Sequence, residues 1–493
     1  MLLAASAFLL QAQSSSVVIA GAQIADGTGA PLRRADVRIQ DGRILEMGKL
    51  KSKPGDLIVA ARGLVLAPGF IDVHNHSQAL EKDLGAASQV SQGITTVLVG
   101  QDGSSPWPIA DYLEARRSHP AALNVQSMVG HATVRRKAMG EDFRRVATAG
   151  EIAAMVQMVD EEMRNGAVGL SSGLEYEVGS YSSTDEVIAM ARAAAQHGGI
   201  YVSHIRDEAD LTLQSIREAI RVGEEAHIPV QISHIKLGTA AVWGKAAEVI
   251  SLVEAARARG VQVTADCYPY DAWSSTITVL VPDKQYANPA SVKKALADVG
   301  GGGNVTVTHC ARHPDYEMQT LDVIAKMHST DAASIFIQIV KDGGASVVCH
   351  AMKDEDIRAF YRAPWVMVGS DGGIGMRHPR GSGTYPRVLG LFVRERHWFT
   401  LPAAIQKMTA LPAQTLQLTD RGVIRPGAFA DLVLFNPATV IDRSTFADPF
   451  ALSVGIEKVY VNGSLVWENG KATGQYPGRV LTRGQARSET IPK

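Results

Sequence analysis

Apolar and polar positions follow two different patterns along this chain. From Ser16 to about Leu66 they alternate through SVVIAGAQIAD, RADVRIQDGRILEMG and LIVAARGLVLAPG, with breaks at Gly, Asp and Pro. That pattern predicts half-buried antiparallel strands. The C-terminal stretch has the same texture, and Asn462-Gly463 supplies a hairpin signal there. The two β-rich ends predict one small β-sandwich domain built from residues 17–66 and 406–485.

The middle of the chain alternates short apolar runs with helical patterns. The runs are GFIDVHNH (69–76), ITTVLVG (94–100), LNVQSMVGH (123–131), AVGLSSG (167–173), GIYVSHI (199–205), IPVQISHI (228–235), VQVTADCY (261–268) and APWVMVGSD (363–371). Amphipathic stretches such as EIAAMVQMVDEEMRNG and STDEVIAMARAAAQHGG lie between them. Eight strands alternating with helices predict an α/β chain folded as a (β/α)8 TIM-like barrel over residues 67–405. The gap before the eighth run is far longer than the others, so an inserted subdomain is expected at about 275–355.

Composition narrows the class. Of 493 residues, 46% are hydrophobic and 20% charged, which excludes disordered, collagen-like and coiled-coil chains. The 49 Lys+Arg against 50 Asp+Glu leave a formal charge of −1, which argues against nucleic acid as the main partner. No apolar run reaches the ~20 residues of a spanning helix. Cys267, Cys310 and Cys349 form no metal or disulfide pattern and read as buried small hydrophobes. Residues 1–16, with an apolar stretch from Leu2 to Leu10, read as the apolar region and cleavage zone of an export signal without its basic leader. That predicts a periplasmic or secreted protein, the alternative being a cytoplasmic one.

Candidate chemistry sits at the strand ends. Residues i and i+2 of a strand share a face, so His74 and His76 point together, with Asp72 behind them. His204 ends the fifth run, His234 the sixth, and Asp371 the eighth. These are the C-terminal strand ends where barrel enzymes place their sites, and imidazoles with a carboxylate suit Zn²⁺. His131 at the third strand end reads as a neighbour of the site or a substrate contact, and His378 as a loop residue. Lys236, two residues after His234, also faces the interior, where a buried lysine calls for an anionic ligand. Arg377 is a further carboxylate-binding candidate, and Tyr176 a contact for a reacting carbonyl. There is no Gly-x-Ser-x-Gly elbow and no cysteine placed to attack. A metal-assisted route is therefore favoured, with Asp371 as general base and then acid.

Together, PGFIDVHNH, the two later strand-end histidines, GSDGG and the closing RGVIRPGAFADLV resemble the amidohydrolase superfamily. GLEY (173–176), SHIRDE (203–208), SHIK with WGK (233–245), YPY (268–270) and GTYPRVLG (383–390) resemble its N-acyl-D-amino-acid deacylases, the D-aminoacylases. The likeness runs from about Val17 to Val480. It implies one or two zinc ions held by His74, His76, His204 and His234, and hydrolysis of N-acyl-D-amino acids to a carboxylate and a D-amino acid. It also implies that Lys236, Tyr268 and Ser274 hold the substrate's α-carboxylate. Where that family has a cysteine after the second strand, in Gly-Asn-Cys-Gly, this chain has Gly-Gln-Asp-Gly, which puts Asp102 in the ligand position. The strand-four lysine of the cyclic amidases is missing from AVGLSSGLEY, which lowers that reading. The remaining alternative is an amide hydrolase acting on dipeptides or other C-terminal amides. Oligomeric state is not readable from the sequence.

Overall fold

The computed structural model describes residues 16–483. Most of the expected export signal and the last two residues of the expected β domain therefore lie outside the described residues. Eight strands form the barrel: β1 (Phe70–Asp72), β2 (Ile94–Val99), β3 (Asn124–Ser127, resumed at Val129–Gly130), β4 (Gly169–Gly173), β5 (Ile200–His204), β6 (Val230–Ile232), β7 (Val263–Cys267) and β8 (Val366–Val368). All pair in parallel. One sheet runs β1-β2-β3, and the other runs from the second part of β3 through β4, β5, β6 and β7 to β8. The strands are short and almost fully buried, as expected for a parallel sheet covered by helices.

The seam between β8 and β1 is closed by the segments that follow them. The His76 N–H donates to the Gly372 carbonyl at 2.7 Å, and the Asp371 N–H to the His74 carbonyl at 2.9 Å. Beneath the seam, the buried Asp72 carboxylate accepts from Ser370 N (2.9 Å), Ser370 Oγ (2.5 Å) and Asn75 Nδ2 (2.8 Å). Barrel closure and placement of His74, His76 and Asp371 are thus one structural event.

Between β7 and β8, strands Trp273–Thr276, Ser346–Cys349 and Val305–His309 form an antiparallel sheet with helices Pro289–Asp298, Leu321–Met327 and Ala332–Lys341. This is the inserted segment, and its first strand and following turn overhang the mouth.

Both ends of the chain contribute to a nine-stranded sheet in which Val17–Ile24 pairs antiparallel with Arg33–Gln40 and parallel with Leu57–Ala60 and Val65–Pro68. Alternation divides its side chains. Leu432 and Leu434 join Ile19 and Ile24 in a small separate core, while Val433 and Phe435 join the main core. Asn462 and Gly463, both at positive φ, turn the hairpin from Ile456–Val461 to Ser464–Glu468. The expected start of the C-terminal part at 406 falls inside the helix Leu401–Met408, which packs on β8 and β1 and belongs to the barrel. Pro402 occupies the first turn of this helix, where it costs no hydrogen bond. At the other end the chain leaves the sheet and lies along β3, with Leu481 N donating to Val125 O at 2.8 Å.

Candidate active site

His204 is the last residue of β5. His234 lies two residues beyond β6 at φ +33°, its N–H held by Asp266 Oδ1 at 2.9 Å. Asp102 follows β2 at φ +56°, a left-handed conformation that aspartate tolerates better than most residues. His74 is fully buried. Its Nε2 lies 3.4 Å from Asp102 Oδ1 and 3.5 Å from Asp371 Oδ1, and its Nδ1 lies 3.5 Å from Asp266 Oδ1. His76 Nε2 is 3.1 Å from Asp371 Oδ1 and 3.5 Å from Asp102 Oδ2. On the other side, His204 Nδ1 and His234 Nε2 face each other at 2.9 Å. Single ligand atoms of His74, Asp102, His234 and Asp371 all lie within 4.8 Å of one another, and so do those of His204, Glu208 and His234. The four histidines and two carboxylates, drawn from β1, β2, β5, β6 and β8, converge.

The electrostatics differ across this cluster. Burial opposes a charge on His74, but Asp102, Asp266 and Asp371 carry its pKa well above the ordinary histidine value. His76 faces the same opposition and is raised to about 9 by Asp102 and Asp371. His234 is lowered, first by burial and then by the Lys236 ammonium. Burial would raise Asp371, yet Arg380, with Nη1 at 2.9 Å from Oδ2, leads the groups that hold it far below the usual carboxylate range.

These residues fit a bound zinc ion. Both ring nitrogens of His74 and Oδ1 of Asp102 are buried without a hydrogen-bond partner. Atoms of that kind are costly to leave unsatisfied, and imidazole nitrogen with carboxylate oxygen is a zinc donor set. Asp266, which contacts His74 Nδ1 and fixes the His234 backbone, is placed to orient both rings.

The cluster forms the floor of a cavity of about 630 Å³. Lys236 Nζ reaches it while held by Glu208 at 2.6 Å and by His234 Nδ1 at 2.8 Å. Tyr268 and Ser274 also line it, as does Tyr176, whose ring sits 4.4 Å from that of His204. Arg377 reaches only the rim. Its guanidinium is taken by Glu317 at 2.5 Å and by Thr308 O at 2.8 Å, and its side chain is 46% exposed. The buried arginine of the cavity is Arg380, stacked over the Tyr268 ring at 4.8 Å. His378, buried behind this loop, accepts from the Arg380 N–H at 3.1 Å. His131 is not among the groups lining the cavity; it is buried with Glu186 at 2.9 Å.

A model of the amidohydrolase family matches residues 57–467. A D-aminoacylase of Alcaligenes xylosoxydans xylosoxydans is 36% identical, covering 96% of this chain and 99% of its own. The chain belongs to the amidohydrolase family, in its D-aminoacylase branch. An N-acyl-D-glutamate deacylase of the same organism is also 36% identical, over 95% and 96% of the two chains. The crystal structure of N-acyl-D-glutamate deacylase from Bordetella bronchiseptica, complexed with zinc and a phosphonate inhibitor, superposes at a TM-score of 0.86 with 34% identity. It covers 95% of this chain and 100% of that one.

Four residues of this amidohydrolase site escaped the sequence reading: Glu175, Glu208, Asp266 and Arg380. Asp266 carried a signal, as the one charged residue of β7. Glu208 lies four residues after His204 in a motif already singled out. Glu175 lies just past β4 inside GLEY, another motif already singled out, and Arg380 opens the helix Arg380–Arg387, whose start no sequence signal marks as facing the cavity.

Proposed function

We propose that this amidohydrolase cleaves the amide bond of N-acyl-D-amino acids, releasing a carboxylate and a D-amino acid. The observation that carries this reading is a single cavity joining a zinc-fitting cluster to two buried cations, Lys236 and Arg380. His74, His76, Asp102, His204 and His234 would hold one or two zinc ions. When bound, zinc supplies Lewis acidity, polarising a carbonyl and making water nucleophilic near neutral pH.

The chain's own groups do the rest. Asp371, kept ionised by Arg380, takes the proton of the attacking water and returns it to the leaving amide nitrogen. Lys236, Tyr268 and Arg380 receive the substrate α-carboxylate, and the Ser274 carbonyl, 3.5 Å from Arg380 Nη2, helps set the guanidinium. Glu208 holds the Lys236 ammonium in place. Tyr176 stands over His204 on the side where the acyl carbonyl lies. The residue 17–66 and C-terminal strands are read as the small β-sandwich domain beside the catalytic barrel, and residues 1–16 as a segment for export.

A chiral panel tests the reading. N-acetyl-D-amino acids, their L-enantiomers and dipeptides are assayed with and without added Zn²⁺. Zinc-dependent turnover confined to the D-acyl compounds is expected. Faster turnover of dipeptides would move the protein to the peptidase-like alternative.

A further inference from the structure

A second cavity, of about 580 Å³, adjoins the catalytic one. Glu175, Tyr176, Thr276, Val279 and Pro282 line both. It runs outward over the loops after β4 and β5, away from Lys236, Tyr268 and Arg380. An amide is trans, so the acyl chain and the α-carbon leave it in opposite directions. With the α-carboxylate on the Lys236 and Arg380 side, the acyl chain is directed past Tyr176 into this second space.

The charges of the second cavity are mostly spent. Glu175 is bound to His204 Nε2 at 2.8 Å, and Glu177 to Arg144 Nε at 2.9 Å. Glu218 grips Arg206 through two contacts of 2.8 and 2.7 Å. Asp207 accepts the N–H groups of Ala209 and Leu211 at 2.8 and 3.0 Å. Lys284 is different. It is half-buried, donates to Ser180 Oγ and sits 4.8 Å above the Tyr181 ring, and among the described residues no carboxylate pairs with it directly. Its backbone is held at φ +58°, an uncommon conformation for lysine that fixes the direction in which the side chain leaves the loop. Burial lowers its pKa, and Arg206 lowers it further, against the opposing pull of Glu177 and Glu175.

We propose that the second cavity is the acyl subsite and that it takes chains ending in a carboxylate, such as succinyl or glutaryl, whose far end pairs with Lys284. This inference rests on the deacylase reading, and the products are then a dicarboxylate and a free D-amino acid. The test compares N-acetyl-, N-succinyl- and N-glutaryl-D-leucine with the neutral N-pentanoyl and N-hexanoyl compounds of matching length. One charge-assisted contact predicts a kcat/KM preference of about tenfold for the charged chain over its neutral match. Lys284→Met should abolish that ratio and Lys284→Arg should restore it. Free glutarate should also inhibit the native enzyme more strongly than hexanoate. A ratio near one in the native enzyme, or a ratio unchanged by Lys284→Met, overturns the acyl-subsite assignment while leaving acetyl turnover to support the deacylase reading. No turnover of any acyl-D-amino acid overturns both.

Discussion

The two ends of the barrel treat buried charge in opposite ways. At the mouth, His74 keeps two ring nitrogens and Asp102 one oxygen without a hydrogen-bond partner. At the base, the Asp431 carboxylate accepts from Arg421, from Asn124 Nδ2 at 3.1 Å and from the Asn462 N–H at 2.7 Å. Arg421 also reaches Asn462 Oδ1 at 2.7 Å, and Asn462 Nδ2 reaches Asn124 Oδ1 at 2.8 Å. That network ties β3 to the C-terminal strands and leaves none of these four side chains with an orphaned atom. The difference separates two uses of polarity. Where every donor meets an acceptor, the network holds the fold together; where donors and acceptors are left open, the site is built to receive something else.

The sharpest way to break this contrast is at Asp371. Asp371→Asn keeps an oxygen donor but removes the proton acceptor, so turnover should fall by about 10²–10⁴. Zinc content by metal analysis should stay near the native value. Near-native turnover would remove Asp371 from proton transfer. The mirror experiment at the base is Asp431→Ala. It strands the Arg421 guanidinium, only 2% exposed, and should cost about 3–5 kcal/mol of unfolding free energy. Denaturant unfolding measures that loss, and kcat/KM well below the transition should stay close to native. A large kinetic defect with little loss of stability would dissolve the division of labour between the two ends.

Much of this was legible before any coordinates. Each barrel strand is a short apolar run, and a parallel sheet buried on both faces requires that texture. The strand-end residues His74, His204, His234 and Asp371 stood out because a polar group closing an apolar run needs a reason. Most of what could not be read lies beyond the strand ends. Arg377 and Arg380 are three residues apart, and only the turn into the helix Arg380–Arg387, with His378 holding the Arg380 N–H, leaves one at the rim and puts the other inside. The boundary expected at 406 falls inside the helix Leu401–Met408, whose packing on β8 and β1 has no local signature. The link from β3 to Arg421 and Asn462 joins positions some three hundred residues apart and has no local signature.

Lys407 carries the contrast to its smallest measurable consequence. It too lies near the base, buried, but its ammonium meets only carbonyls, those of Ala363 at 2.5 Å and Val366 at 2.9 Å. Burial pushes its pKa down to about 8, against ~10.4 in an unfolded chain. Between those values the unfolded chain binds more protons than the folded one, so stability rises with pH across that window. Below about 8 both states are protonated and the folded protein bears the full cost of the buried charge. Lys407→Met removes the titrating group and keeps most of the volume. Moving from pH 7.5 to 9.5, the native protein should gain on the order of 1–2 kcal/mol relative to the variant. Parallel denaturant titrations at the two pH values measure that difference. Identical pH dependence in the two proteins would mean that the carbonyls satisfy the ammonium fully.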